Sequence, residues 1–314
     1  MAATLGIMTV FAPVATPPAL AGSGNGADPL VAFVDFGWLP PSLPNVSYVA
    51  TADGTGTGVN DVIAQGNRTP DGTPRVDLQL LPGDGPGTAN ADERMIPATL
   101  NDERRAYWVT KSPAGGRFAG DFQLRFPAED GRWASLSWSV NGSGPNSSKI
   151  SGVPASTRAT ASKDGAPPTS VPVSAAWQQT LLHIATQVTN TPAKVPMPLR
   201  LTGLPSNFKP DTTLLWRPGR FGDGAPGTWS ATLVLHSGDL TATIDVGPHN
   251  TLAETASPQA PGTECTTSEG LDACVQYAGS SPAFDKLGGA KGLLKLVTLL
   301  GPDEKNWTTN VIVP

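Results

Sequence analysis

The chain has 314 residues, 21 Lys and Arg against 26 Asp and Glu, and a net charge of -5, with a pI near 5.2. That balance leaves no basic footprint, so neither nucleic acid nor an anionic lipid surface is an expected partner. The length suits two ordinary domains or one large β domain, and 35 Gly plus 32 Pro, about a fifth of the chain, fit many turns between short strands rather than low complexity.

The first 24 residues, "MAATLGIMTVFAPVATPPALAGSG", carry an apolar run from Ala2 to Val14 and then Ala19-Leu20-Ala21 before Gly22. This pattern resembles the h-region and cleavage site of a signal peptide without its positive n-region. Residues 1–24 are therefore read as an apolar leader, either a truncated signal peptide or the outer half of a membrane helix. The stretch is too short and too interrupted by proline to span a bilayer as it stands, and a disordered Ala-rich tail is the plain alternative.

Alternation dominates the chain beyond the leader. In "RVDLQLL", Val76, Leu78 and Leu80 share one face against Asp77 and Gln79; in "DFQLRF", Phe122, Leu124 and Phe126 oppose Asp121, Gln123 and Arg125. Both read as strands with one wet face. "RRAYWVTKS" is a further short strand. "WASLSWSV" sets Ala134, Leu136, Trp138 and Val140 against Trp133, Ser135, Ser137 and Ser139, so 122–126 and 133–140 are expected to form a hairpin.

Residues 141–172, rich in Ser, Gly, Pro and Thr, read as a long surface loop. A helix is expected next, with Ser174 as N-cap and Trp177, Leu181, Ile184 and Val188 on one face. "NTPAKVPMP" then breaks the helix with three prolines and is taken as a domain boundary.

Beyond it, "TTLLW" and "WSATLVLHSGDLTATIDV" read as strands, the second a hairpin turning at Ser237-Gly238-Asp239. "LDACVQYAG" is the next strand. "GGAKGLLKLVTLLGP" is expected to be a helix lined by Leu293, Leu296, Val297 and Leu300 and ended by Gly301 and Pro302. A Leu-Pro lead, strands, an aromatic strand and a closing helix thus occur twice. The expected organisation is a diverged tandem repeat: the leader (1–24), a first α+β domain (25–192) and a second (193–314).

The two cysteines, Cys265 and Cys274 in "CTTSEGLDAC", are too widely spaced for a zinc pair, and no second Cys pair exists to complete a tetrahedral site. A disulfide is expected, provided the chain leaves the cytoplasm. Closing so short a loop contributes ~2–3 kcal/mol.

"WLPPSLP", "RRAYWVTK", "RWASLSW" and "LLHIATQV" resemble elements of a small extracytoplasmic domain of unknown function found in bacterial anti-sigma-factor ectodomains. From Asp28 to Pro314, including "LLGPDEKNWTTNVI", the chain is similar to tandem ectodomains of uncharacterised membrane proteins from high-GC Gram-positive bacteria. The resemblance implies an α+β fold in which each domain is a curved antiparallel sheet backed by a helix, akin to the half-barrels of lipoprotein-sorting and sigma-regulator proteins. It implies no catalytic residues.

A search for chemistry finds little. His183, His236 and His249 are read as solvated histidines. "SNFK" (Ser206 to Lys209) matches Ser-x-x-Lys but stands beside prolines, without the companion motifs of penicillin-binding enzymes. The Gly-rich stretches "GTGTGVND" and "GDGPGTANADE" lack the setting and the Lys of a phosphate loop. Asp84, Asp92, Glu93, Asp102 and Glu103 lack the alternating pattern of a calcium loop, so no metal and no cofactor is expected. Trp133 stands out because alternation puts it among serines, where an exposed ring on a sheet is a ligand contact; the opposing reading has the helix or the long loop covering it.

These expectations describe a non-enzymatic extracytoplasmic sensor or regulatory domain pair of a membrane-anchored protein. Its partner is an envelope protein or a small, lipid or cell-wall ligand, and its membrane contact runs through the N-terminal segment only. The alternatives are a secreted or surface-attached binding protein and, last, a hydrolase with a dispersed site.

Overall fold

The computed structural model describes residues 28–52, 60–67, 73–81, 85–89, 93–111, 122–128, 131–140, 175–217, 229–252 and 262–314. The leader, the 141–172 loop, Ser174, Asp84, Asp92 and most of the two Gly-rich stretches lie outside them.

Alternating residues build the strands of the first segment: β1 (Val31–Ala32), β2 (Asp35–Phe36), β3 (Asn45–Thr51), β4 (Asn60–Gln65), β5 (Pro74–Leu80), β6 (Glu93–Thr99), β7 (Arg105–Lys111), β8 (Phe122–Pro127) and β9 (Trp133–Val140). The helix α1 (Ala175–Thr186) comes next, then β10 (Val188–Thr189) and β11 (Ala193–Lys194). The second segment has β12 (Leu199–Thr202), β13 (Lys209–Trp216), β14 (Ser230–Ser237), β15 (Leu240–Pro248), β16 (Glu264–Ser268), β17 (Leu271–Ala278), α2 (Pro282–Leu287), α3 (Gly289–Leu294), β18 (Val297–Leu299) and β19 (Ile312–Val313). The fold is α+β and dominated by antiparallel sheet. Among the described residues, no helix is long and apolar enough to cross a membrane.

Both expected hairpins form, β8 with β9 and β14 with β15. The second turns at Gly238, whose φ of 62° is the left-handed conformation that glycine adopts without steric cost.

The two segments do not make two separate sheets. Twelve strands form one sheet in the order β16-β17-β15-β14-β13-β3-β4-β5-β9-β8-β7-β6. The joint is the antiparallel pair β3–β13, with Val49 opposite Leu214. Pairing β3 with β13 satisfies two rows of backbone groups that would otherwise be open edges. Outside the large sheet, β2 pairs antiparallel with β10, just after α1, and β12 pairs antiparallel with β18, just after α3.

One sheet face carries two apolar clusters. In the first, Val62, Val76, Leu78, Leu124 and Leu136 pack with Leu181 and Ile184 of α1, all of them fully buried. Each such side chain contributes about 1.5–3 kcal/mol relative to an exposed one. Trp138 meets Trp177 of α1 with ring centroids 3.9 Å apart. In the second cluster, Leu233, Ile244 and Val275 pack with Phe284, Leu293 and Trp307.

Tyr48 packs against both clusters and donates a hydrogen bond to Asp35 Oδ2 at 3.2 Å. Burial, followed by the Asp35 charge, pushes its phenol well above the ordinary range. Beside it Arg217 closes the joint. Its Nη1 donates to the Val46 carbonyl at 2.7 Å, its Nε and Nη2 donate to the Glu304 carboxylate at 2.9 and 2.8 Å, and its own backbone N–H reaches Ser47 Oγ at 2.7 Å.

The Pro-rich stretch after α1 ends the helix, as expected, and its second half is built into the fold: Val195 and Met197 are buried, β11 pairs with β1, and Met197 exchanges backbone hydrogen bonds with Thr308. Proline spaced in extended chain leaves the intervening residues free to pair. The last helix stops at Leu294, and Val297–Leu299 pairs with β12 instead. Val297 and Thr298 are β-branched and favour a strand. A separate turn, α2, precedes α3, capped by Ser281 and closed by Gly288 at φ 89°.

Candidate functional site

The face of the sheet away from α1 carries the polar halves of the alternating strands. One register row crosses it continuously: Asp245, Thr232 and Leu214 from the second segment, then Val49, Asp61 and Gln79 from the first. It continues through Ser135 and Arg125 to Tyr107. Alternation in "DVIAQ" and "RVDLQL" sends Val62, Ala64, Val76 and Leu78 to the core and leaves the acids and amides on this side.

The expectation of a wet face is corrected here. Asp61 is 6% exposed, and Gln65, Ser47, Ser135 and Ser139 are buried with it. Burial pushes the Asp61 carboxyl up to about 6; a hydrogen bond from Gln79 opposes the shift, the Asp77 charge adds to it, and Arg75 opposes it. Asp77, two residues from Gln79 on the same face of β5, accepts from Arg75 Nε at 2.6 Å. Burial still raises Asp77 above the ordinary carboxylate range, against the charge and hydrogen bond of Arg75. The guanidinium of Arg75 also lies 5.9 Å from the Trp216 ring on β13, so the two side chains meet over β4 and β3. Ser139, opposite Arg75 on β9, has a buried Oγ without a hydrogen-bond partner among the described residues.

Asp245 repeats the motif in the second segment. Thr232 Oγ1 donates to it at 2.6 Å, and burial, opposed by that bond, raises its pKa. At the far end of the row Arg125, 9% exposed, donates through Nη1 to the Pro86 and Thr88 carbonyls at 2.9 and 3.1 Å. It therefore anchors backbone.

Trp133 lies on this polar face, half-buried at its margin, with its ring 6.0 Å from that of Tyr107. Helix α1 covers Trp138 on the opposite face. Trp133 is near Tyr107 and the serine row, while Asp61, Asp77, Arg75 and Trp216 sit further along the same face.

The histidines are apart from this face or at its edges. His183 meets Trp38 edge-on at 4.4 Å. His236 is 3.2 Å from Thr241 Oγ1 and 3.5 Å from Asp211. His249 is 2.8 Å from Asp272. Burial tends to raise Asp272, but hydrogen bonds from His249, Thr267 and the Asn250 backbone outweigh it and hold the carboxyl below its usual value. In "SNFK", Phe208 is buried and Lys209 begins a strand, so no Ser-x-x-Lys helix exists. Asp102 pairs with Arg104 at 2.7 Å, and among the described residues no three metal-binding side chains gather. Cys265 and Cys274 form the expected disulfide, directly opposite each other on β16 and β17.

The sequence pointed to Trp133 and passed over Asp61, Arg75, Asp77, Trp216 and Asp245. The alternation that set Asp77 and Gln79 apart was visible; their burial was not.

No family model and no curated protein matches the chain. A solved structure described as "Crystal structure of MucB" aligns over 82% of this chain and 94% of that one, at 12% identity and a TM-score of 0.23. A superposition of that quality carries no argument about fold or function.

Proposed function

We propose that the chain is an extracytoplasmic binding module, the sensor or regulatory domain pair of a membrane-anchored protein, and that it holds its ligand on the polar sheet face. The observation that carries this reading is the set of Asp61, Asp77 and Arg75 on that face, continuous with the half-buried pair Trp133 and Tyr107. Buried, paired, shifted carboxyls on a sheet are costly to stability and mark sites where a ligand supplies what the fold does not. Two carboxylates against one guanidinium, with Gln79 and serines between, match a ligand rich in hydroxyl and amino groups, and aromatic rings at the margin suit a sugar face. An amino-sugar fragment of the cell wall has that chemistry. The Cys265–Cys274 disulfide supports an oxidising compartment.

The test is calorimetric titration of the full chain with soluble disaccharide-peptide fragments of peptidoglycan, beside Trp133→Ala and Asp77→Asn. Saturable binding that weakens at least tenfold in both variants is expected. Absence of binding overturns the proposal, and so does steady consumption of the fragments, which would make the chain a hydrolase.

A further inference from the structure

The two edges of the twelve-stranded sheet are built differently. At one edge, β6 has Pro97 opposite Tyr107. The Leu100 N–H to Arg104 carbonyl bond closes the turn, so by antiparallel alternation Pro97 occupies a position whose nitrogen faces outward. That edge lacks a donor in its middle, a device that blocks strand addition.

At the other edge, β16 is "ECTTS", with no proline, no lysine and all five residues exposed. Its two-residue turn has Glu269 at φ 52° and Gly270 at φ 74°, which makes Ser268 and Leu271 a hydrogen-bonded pair. Alternation then leaves the N–H and C=O of Cys265 and Thr267 pointing away from β17. No described strand pairs with them. The disulfide to Cys274 ties the middle of β16 to its neighbour, so the open edge is held extended without a partner strand among the described residues. Thr266 and Thr267 are residues that favour a strand.

We infer that β16 is a docking edge that takes up an extended, basic segment of a partner protein as an additional antiparallel strand. Main-chain bonds to Cys265 and Thr267 give the affinity, as in other strand-addition complexes. Charge selects the occupant: Glu264 and Glu269 stand at the two ends of the edge and make no ion pair among the described residues, the exposed Lys291 of nearby α3 and Lys295 just after it included. A second copy pairing through β16 would bring four such carboxylates together, whereas a segment carrying Lys or Arg neutralises them.

The experiment uses the full chain and a short acetylated, amidated peptide alternating valine and lysine, with a valine–glutamate peptide as its counterpart. Binding is read by fluorescence anisotropy and by amide exchange at Cys265 and Thr267. The lysine peptide is expected to bind, to slow exchange at those two amides, and to weaken with salt; the glutamate peptide is expected not to bind. Thr267→Pro, which removes an outward N–H, should weaken binding at least tenfold, while Thr267→Val, which keeps it, should not. Glu264→Lys with Glu269→Lys should reverse the peptide preference, and it keeps the proposal testable if Thr267→Pro unfolds. Equal binding of both peptides, no exchange protection on β16, or a dimer of the free chain that Thr267→Pro dissolves would each overturn the proposal.

Discussion

Replacing Asp61 by Asn should change how stability depends on pH. In the folded chain the Asp61 carboxyl is raised from 3.8 to about 6 by burial. Between those values the native state holds a proton that the unfolded state has released, so the stability is fully present below the unfolded pKa and is lost as pH rises through the folded one. A shift of about two units corresponds to about 3 kcal/mol lost by the wild type between pH 4 and pH 8. Asp77 and Asp245 are raised in the same direction, but they titrate in both proteins and largely cancel in the difference. Asp61→Asn resembles the protonated acid at low pH and keeps its neutrality above pH 6. Urea unfolding at fixed ionic strength from pH 4 to pH 8 should therefore give matching curves at pH 4 and an Asn variant more stable by about 2–3 kcal/mol at pH 8. Parallel curves across the whole range would refute the reasoning, because they would mean that Asp61 is solvated.

Removing the disulfide with Cys265→Ser and Cys274→Ser together should cost about 2–3 kcal/mol, read by thermal unfolding; unreduced denatured wild type should show no free thiol. Trp138→Ala opens the contact with Trp177 and should destabilise by about 3–5 kcal/mol. Trp133→Ala, at the margin of the other face, should cost much less in the same thermal assay. If the two substitutions cost the same, the assignment of faces is wrong.

Much of the fold could be read from alternation. Leu124, Phe126, Ala134, Leu136 and Trp138 all fall on the buried face assigned to them, and the hairpin at Gly238 follows from its turn residues. What could not be read depends on contacts distant in sequence. The β3–β13 pair unites segments that each look complete, so a local pattern gives two sheets where there is one. Leu293, Leu296, Val297 and Leu300 satisfy a helical stripe, yet the pairing of Val297–Leu299 with β12 decides against it. Val195 and Met197 sit among prolines with no periodicity to mark them as core, and backbone pairing with segments distant in sequence, at Leu30 and Thr308, brings them into it. The candidate site was hidden for a related reason: alternation separates Asp61 and Asp77 from the core side without saying whether water reaches them.

The central claim is that the polar face of β4, β5 and β9 is where a ligand is held. Hydrogen exchange of the full chain, with and without the disaccharide-peptide fragments, tests it most directly. Slowed exchange is predicted in peptides covering 60–65, 74–80 and 133–140, and its loss in Asp77→Asn; protection confined to other strands, or none, would contradict the claim.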